Sequence, residues 1–120
     1  MYTRNIYIQV SGGGGDKIRR LAKMDTGADV NLMSRDVHKA AGYTLEPCSE
    51  LIKPFRSEAI RPLGRVRNVA WNFMDHAKTY KEDFFVLETR QFDTLIGNQF
   101  LRKHGILIFN LPGRDASGED

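Results

Sequence analysis

The residues with the clearest chemical potential are Asp25, Thr26 and Gly27, which form an Asp-Thr-Gly triplet. An apolar segment precedes the triplet and another follows it, so the triplet is predicted to lie on a tight loop between two strands. A carboxylate held on such a loop can act as a general acid or base. The same residues can also form an ordinary turn, in which Asp25 hydrogen-bonds its own backbone and Gly27 takes a positive φ. The triplet alone leaves both interpretations open.

A second stretch of the chain supports the catalytic interpretation. Residues Phe92 to Leu101 read as a short apolar strand that ends in a glycine and leads into a helix. The two stretches, in this order, resemble the retropepsin-like proteases, which are the aspartic proteases of retroviruses and retrotransposons and their cellular relatives. The resemblance extends from Ile6 to Phe109 and includes a flap-like region between Ser49 and Gly64.

The resemblance implies a mostly β domain with a closed, barrel-like sheet, one or two short helices, and a homodimeric assembly. Aspartic proteases use two carboxylates about 3 Å apart, which share one proton because both cannot ionise at that distance. One carboxylate acts as base toward a water, and the other donates to the scissile carbonyl. This sequence holds a single Asp-Ser/Thr-Gly triplet, since Asp93-Thr94 is followed by Leu95. The second carboxylate is therefore expected from Asp25 of another subunit, across a two-fold axis.

The resemblance also implies a task for each residue of the predicted active-site loop. Thr26 is expected to hydrogen-bond the backbone of the other subunit's loop. Gly27 has no side chain, so it is expected to let the two loops and the substrate backbone approach closely. Ala28 is expected to keep the floor of the site small. Asp29 is expected to support the loop or to bind substrate backbone.

Further substrate contacts are predicted from the flap-like region and from the later strand. Ile52, Pro54 and Phe55 are expected at or near the flap tip, where family members close over a polypeptide substrate. Ile96 is placed among the substrate-binding residues, although it is also expected to belong to the core. Gly97 is expected to be a close-packing position.

Two features depart from the pattern of the viral members. Their flap tips usually contain glycine, whereas this tip has none and includes Pro54, so the flap is expected to be stiffer or differently shaped. Many of them also place an arginine after the later glycine, where it pairs with the acid that matches Asp29. This chain has Asn98 there. Asp29 is therefore expected to pair with another residue, such as Arg102, or to face solvent.

Hydrophobic periodicity and turn residues predict the elements that position these residues. A strand from Asn5 to Ser11 and one from Ile18 to Met24 form a hairpin around a glycine loop. Ser34 caps a helix that Gly42 ends. The other predicted elements are a strand at Val30–Met33, an irregular hairpin from Thr44 to Gly64, an extended run from Val66 to Phe73, a turn at Met74–Lys78, strands at Phe84–Leu87 and Leu95–Ile96, a helix from Asn98 to His104, and a final strand at Ile106–Leu111.

Two other function classes are alternatives to the protease. A catalytically inactive, dimeric peptide-binding or scaffold module would keep the same fold, although the intact triplet argues against it. An RNA-binding domain is suggested by the net charge of +3 and the pI near 9.2. The basic residues are scattered among acidic ones rather than clustered, so no nucleic-acid partner is expected.

Composition sets the remaining expectations. The 120 residues fit one domain at positions 1–111, followed by a polar tail at 112–120 that is expected to be disordered. The single cysteine, Cys48, excludes an intrachain disulfide and favours a cytoplasmic location. No apolar stretch is long enough to span a membrane. The three histidines lack metal-ligand spacing, so neither a metal nor a cofactor is expected.

Overall fold

The computed structural model describes residues 2–54 and 58–106 as six strands and two short helices. None of the helices in these ranges is both long and apolar enough to cross a membrane. The strands are β1 (Thr3–Gln9), β2 (Lys17–Asp25), β3 (Leu32–Ser34), β4 (Gly64–Phe73), β5 (Tyr80–Leu87) and β6 (Thr94–Gly97), and the helices are α1 (Arg35–Ala41) and α2 (Asn98–Lys103).

The six strands close into a barrel in the order β1-β2-β6-β3-β5-β4. β1 and β2 form the predicted antiparallel hairpin, and β4 closes the barrel by pairing with β1. β6 lies parallel to β2, and this pairing places Asp25 opposite Gly97. The mostly β, closed-sheet architecture with two short helices confirms the predicted fold class.

The barrel interior holds a large aromatic and aliphatic cluster. Ile6 and Ile8 alternate with outward-facing residues along β1, as the two-residue period of a strand requires. Trp71 and Phe73 are fully buried, with their rings packed edge to face at 5.0 Å. A second, smaller apolar cluster lies beside the loop that follows β2, and it consists of Ala28, Leu32, Ile52, Phe85, Leu87, Phe92 and Leu95.

Helix α1 follows the predicted boundaries because its caps are encoded locally. The Ser34 hydroxyl accepts a hydrogen bond from the Val37 amide at 3.2 Å, and Gly42 takes a left-handed φ of 80° at the other end. Helix α2 begins at Asn98, as predicted, but its N-cap is Gly97 and no side chain caps it.

Other predicted segments differ from the structure. The strand predicted at Val30–Met33 runs instead from Leu32 to Ser34. In the described residues between Ser49 and Gly64, the strands of the predicted hairpin do not form. Ile52 and Ile60 make an isolated antiparallel bridge there, with reciprocal hydrogen bonds of 2.9 and 2.7 Å. The flap tip at 55–57, the predicted final strand beyond Ile106 and the tail lie outside the described residues.

Candidate active site

Asp25 is the last residue of β2, and its half-buried side chain lies where the strand gives way to a tight turn. The carboxylate Oδ1 accepts a hydrogen bond from the Gly27 amide at 2.8 Å, and the Ala28 amide donates to the Asp25 carbonyl at 3.3 Å. These bonds fix the carboxylate relative to the barrel while leaving it partly exposed. The site thus presents one oriented carboxylate per chain.

The ordinary-turn interpretation accounts for only part of this geometry. The hydrogen bond from the Gly27 amide to the Asp25 side chain agrees with an ordinary turn, but Gly27 does not take the positive φ that this interpretation predicts. A Cβ at Gly27 would lie 3.1 Å from the Asp25 Oδ1 atom, tighter than most carbon contacts. Glycine is therefore favoured here by the close approach of the carboxylate rather than by backbone conformation.

The loop residues that follow Asp25 have opposite exposures. Thr26 and Gly27 are exposed on the surface of the single chain, whereas Ala28 is only 1% exposed. Ala28 packs in the smaller apolar cluster and forms part of the floor of the adjacent cleft. The outward face of the loop is therefore available to another chain, and its inward face is already packed.

Three hydrogen bonds hold this loop against β6 and the start of α2. The Asn31 side-chain Oδ1 accepts from the Gly97 amide at 3.0 Å. The Asn98 amide donates to the Ala28 carbonyl at 2.7 Å, and the Gln99 amide donates to the Asp29 carbonyl at 3.0 Å. The two stretches that carried the resemblance are thus joined directly.

Gly97 and Asn31 make this junction possible. A Cβ at Gly97 would collide with the Val30 backbone, so the predicted close-packing role of this glycine is confirmed. Asn31 is only 7% exposed and was not singled out from the sequence. A buried asparagine carries no local signal of its partner, since Gly97 is 66 residues away along the chain.

A cleft of about 440 Å³ opens between this loop and the flap region. Its lining brings together Ala28, Asp29, Ile52 and Pro54 from the predicted substrate-binding set, and we call it the inner cleft. Phe55 lies outside the described residues. Its walls also include residues that were not predicted, namely Val30, Leu32, Glu50, Leu51, Lys53, Ala59, Phe85 and Gln99.

Ile96 does not belong to this cleft, so its predicted substrate contact is wrong. β6 is flanked by β2 on one side and β3 on the other, and all four of its residues are buried. Ile96 is 0% exposed and packs in the large core cluster. A strand enclosed on both faces leaves no side chain for a ligand.

Asp29 faces solvent at the edge of the inner cleft. Its side chain is exposed and makes no ion pair within the described ranges. Arg102, near the end of α2, is exposed and does not reach it. Of the two predicted arrangements, the structure has the solvent-facing one, so the Asp29 carboxylate is open to a ligand.

Charged groups elsewhere on the barrel form surface pairs. Arg4 donates to the Asp75 carboxylate at 2.8 Å and lies over the Phe73 ring at 3.7 Å. The hydrogen bond from Arg4 lowers the pKa of Asp75 below its usual range. Within residues 2–54 and 58–106 no group of three or more potential metal ligands comes together.

Comparisons with known proteins support the fold. The chain matches no protein-family model and no curated protein sequence. Among solved structures, it is similar to the retroviral protease-like domain of Ddi1 from Leishmania major. The two share 15% sequence identity with a TM-score of 0.57, over 88% of this chain and 79% of the other. The chain therefore has a retropepsin-like fold.

Proposed function

We propose that this chain is one subunit of a homodimeric aspartic endopeptidase, in which Asp25 from each subunit forms a shared catalytic pair. The observation that carries the proposal is the position of the single Asp-Thr-Gly triplet. It lies at the exposed end of β2, beside an open cleft, within a retropepsin-like fold. One carboxylate per chain cannot supply both an acid and a base, so the site is complete only with a second copy.

The chemistry assigns distinct tasks to the two carboxylates. One accepts a proton from a water molecule, which attacks the scissile carbonyl, and the other donates a proton to the carbonyl oxygen. No covalent intermediate is formed. In each subunit, the Gly27 amide donates a hydrogen bond to the Asp25 Oδ1 atom at 2.8 Å and holds the carboxylate in place. Proton transfer benefits from a carboxylate that is already oriented in this way.

The loop surface supports the proposed assembly. Thr26 and Gly27 are the exposed residues that directly follow Asp25, so a second copy meeting the first at this face would bring the two carboxylates close together. Thr26 can then hydrogen-bond the backbone of the other loop. The absence of a side chain at Gly27 permits the close approach.

The proposed substrate is a polypeptide that lies extended in the inner cleft. The Leu51 side chain, 60% exposed, offers apolar surface, and the Asp29 carboxylate is open to accept hydrogen bonds from a substrate backbone. Pro54 closes the cleft from the flap side. Extended peptides are recognised by this combination of backbone hydrogen bonds and side-chain pockets.

The decisive experiment compares the wild-type protein with Asp25→Asn on a randomised peptide library. The substitution removes the titratable pair while nearly preserving size and shape. Cleavage should fall by more than the 10²- to 10⁴-fold often attributed to one general acid or base. The circular dichroism spectrum and the dimer dissociation constant should be retained, since no described contact of Asp25 depends on its charge alone.

Two further measurements test the shared site. Specific activity should fall on dilution in parallel with dimer dissociation followed by sedimentation. Activity should also fall on both sides of an acidic-to-neutral optimum, because the pair must carry one proton. Full activity in a monomeric sample refutes the proposal. Equal peptide binding by both proteins, without cleavage by either, indicates an inactive peptide-binding module instead.

A further inference from the structure

A second cleft, of about 520 Å³, continues from the inner cleft along the outside of the barrel. We call it the outer cleft. The two clefts share four wall residues, which are Val30, Glu50, Phe85 and Gln99. The two clefts are therefore neighbours, and a polypeptide that extends beyond the inner cleft can reach the outer one.

The walls of the two clefts differ in chemistry. The inner cleft is lined mainly by apolar side chains, whereas the outer cleft adds three basic and two acidic side chains to the shared Glu50. These five additional residues come from β4, β5 and α2, and they are Arg65, Lys81, Glu82, Asp83 and Lys103.

Each carboxylate of the outer cleft already has a basic partner. Glu50 pairs with Arg65 at 3.4 Å, and Glu82 pairs with Lys103 at 3.7 Å. Asp83 accepts a hydrogen bond from the Asn68 amide at 3.0 Å and lies 3.7 Å from Arg67. The acidic groups are thus engaged by the protein itself.

Two basic side chains of the outer cleft have donors left over. The Arg65 side chain is 24% exposed, and its one ion pair within the described residues joins Nη1 to Glu50 at 3.4 Å. Lys81 is exposed on β5 and makes no ion pair with any residue in the described part of the chain. Both cationic side chains therefore keep N–H groups that can donate to a ligand oxygen.

We infer that the outer cleft is a distal subsite that binds an acidic residue of the polypeptide substrate, with Arg65 and Lys81 as its donors. Arginine suits this task because its planar guanidinium offers several N–H groups to one carboxylate. The Glu50 carboxylate, at 3.4 Å from Arg65 and 59% exposed, is a weak competitor for that group. The inference rests on the proposed function, since it gives that polypeptide substrate a charge preference.

The test uses pairs of peptides that differ only by Glu or Gln at one position, scanned along both flanks of a cleaved sequence. At one position on a flank, kcat/KM of the wild-type protein should be about tenfold higher for Glu, a typical effect of a charged hydrogen bond. The preference should weaken as salt is added. A peptide that ends at this position, with a free or an amidated C-terminus, distinguishes a terminal carboxylate from a side-chain carboxylate.

The variants are Lys81→Gln and Arg65→Lys, with Lys39→Gln as the matched control. Lys39 is an exposed residue of α1 that lines neither cleft. Lys81→Gln should reduce the Glu preference several-fold. Arg65→Lys keeps the charge but removes the planar guanidinium, so it should also reduce the preference. Lys39→Gln should leave the preference unchanged.

Binding measurements on the Asp25→Asn protein separate this inference from the proposed function. If no peptide is cleaved, but the Glu peptide still binds Asp25→Asn more tightly than the Gln peptide, the subsite stands and the protease proposal fails. If peptides are cleaved without a Glu preference at any position, the subsite is refuted while the protease proposal stands. A Glu preference that Lys81→Gln and Arg65→Lys both leave intact also refutes it.

Discussion

Asn31→Ala is the most informative test of how this fold builds its candidate site. The Asn31 side chain is 7% exposed, and its Oδ1 atom is the acceptor for the buried Gly97 amide at 3.0 Å. Alanine removes that acceptor and leaves the amide in a space that water does not readily reach. A buried donor left without a partner costs about 1–3 kcal/mol. We therefore expect a loss of about 2 kcal/mol in the free energy of unfolding.

The loss should be largest where the active-site loop meets β6. A decrease of about 2 kcal/mol corresponds to a fall in melting temperature of about 8 °C for a domain of this size. It also corresponds to roughly 30-fold faster amide hydrogen exchange for groups that open together. The amides to follow by NMR are those of Gly97, Asn98 and Gln99, which carry the three loop contacts. This readout does not depend on catalysis.

Asn72→Ala is a matched control for this experiment. Asn72 is 6% exposed and also uses its side chain in buried hydrogen bonds, to the Phe73 and His76 carbonyls at 2.8 and 3.1 Å. It lies on β4 at the turn that follows, away from the loop. Both variants should lose stability, but only Asn31→Ala should speed exchange at the loop and lower peptide cleavage at a temperature where both are folded. Unchanged exchange at Gly97 in Asn31→Ala would refute the reasoning.

Three further outcomes are expected. Gly97→Ala should destabilise the fold by more than about 3 kcal/mol, because its Cβ meets the Val30 backbone, which cannot move cheaply; a normal melting temperature would contradict this. Gly27→Ala meets only the Asp25 carboxylate, at 3.1 Å, so it should keep most stability and lose most cleavage activity. Because the pKa of Asp75 is lowered in the folded state, the ionised Asp75 carboxylate stabilises the fold at pH values above its unfolded pKa, and this stabilisation is lost as pH falls through its folded pKa. Urea denaturation should therefore separate wild type from Asp75→Asn at pH 7 and not at pH 2.

The elements that could be predicted from the sequence are those with local signals. The β1–β2 hairpin follows from alternating apolar residues on either side of a glycine loop. Helix α1 follows from Ser34 and Gly42, whose capping roles depend on residues no more than four positions away. The bulge in β4 between Val66 and Val69 was not predicted. It contains Asn68, which has a φ of 53° and whose backbone N–H donates to the Asp83 side chain, a tertiary contact with no local signal.

The candidate site was predictable to the extent that it is contiguous in sequence. The triplet at Asp25 and the later strand were both recognised, but their contact depends on the parallel pairing of β2 with β6, which no local pattern encodes. Asn31 was missed for that reason. The substrate contact predicted for Ile96 was wrong. Adjacent side chains of a strand point to opposite faces of the sheet, so one of two neighbours is often accessible, but all four residues of β6 are buried.

The flap region differs from the barrel in how it is held, and this difference bears on how a substrate enters. β4 and β5 pair over most of their lengths, whereas in the described residues between Ser49 and Gly64 the bridge between Ile52 and Ile60 is isolated. The exposed apolar side chains of this segment include Leu51, at 60% exposure. Segments with few backbone hydrogen bonds and little burial open at low free-energy cost. We therefore expect the described residues of the flap region to open at lower free-energy cost than the opposite wall of the inner cleft, where Ala28 and Asp29 are hydrogen-bonded to the start of α2.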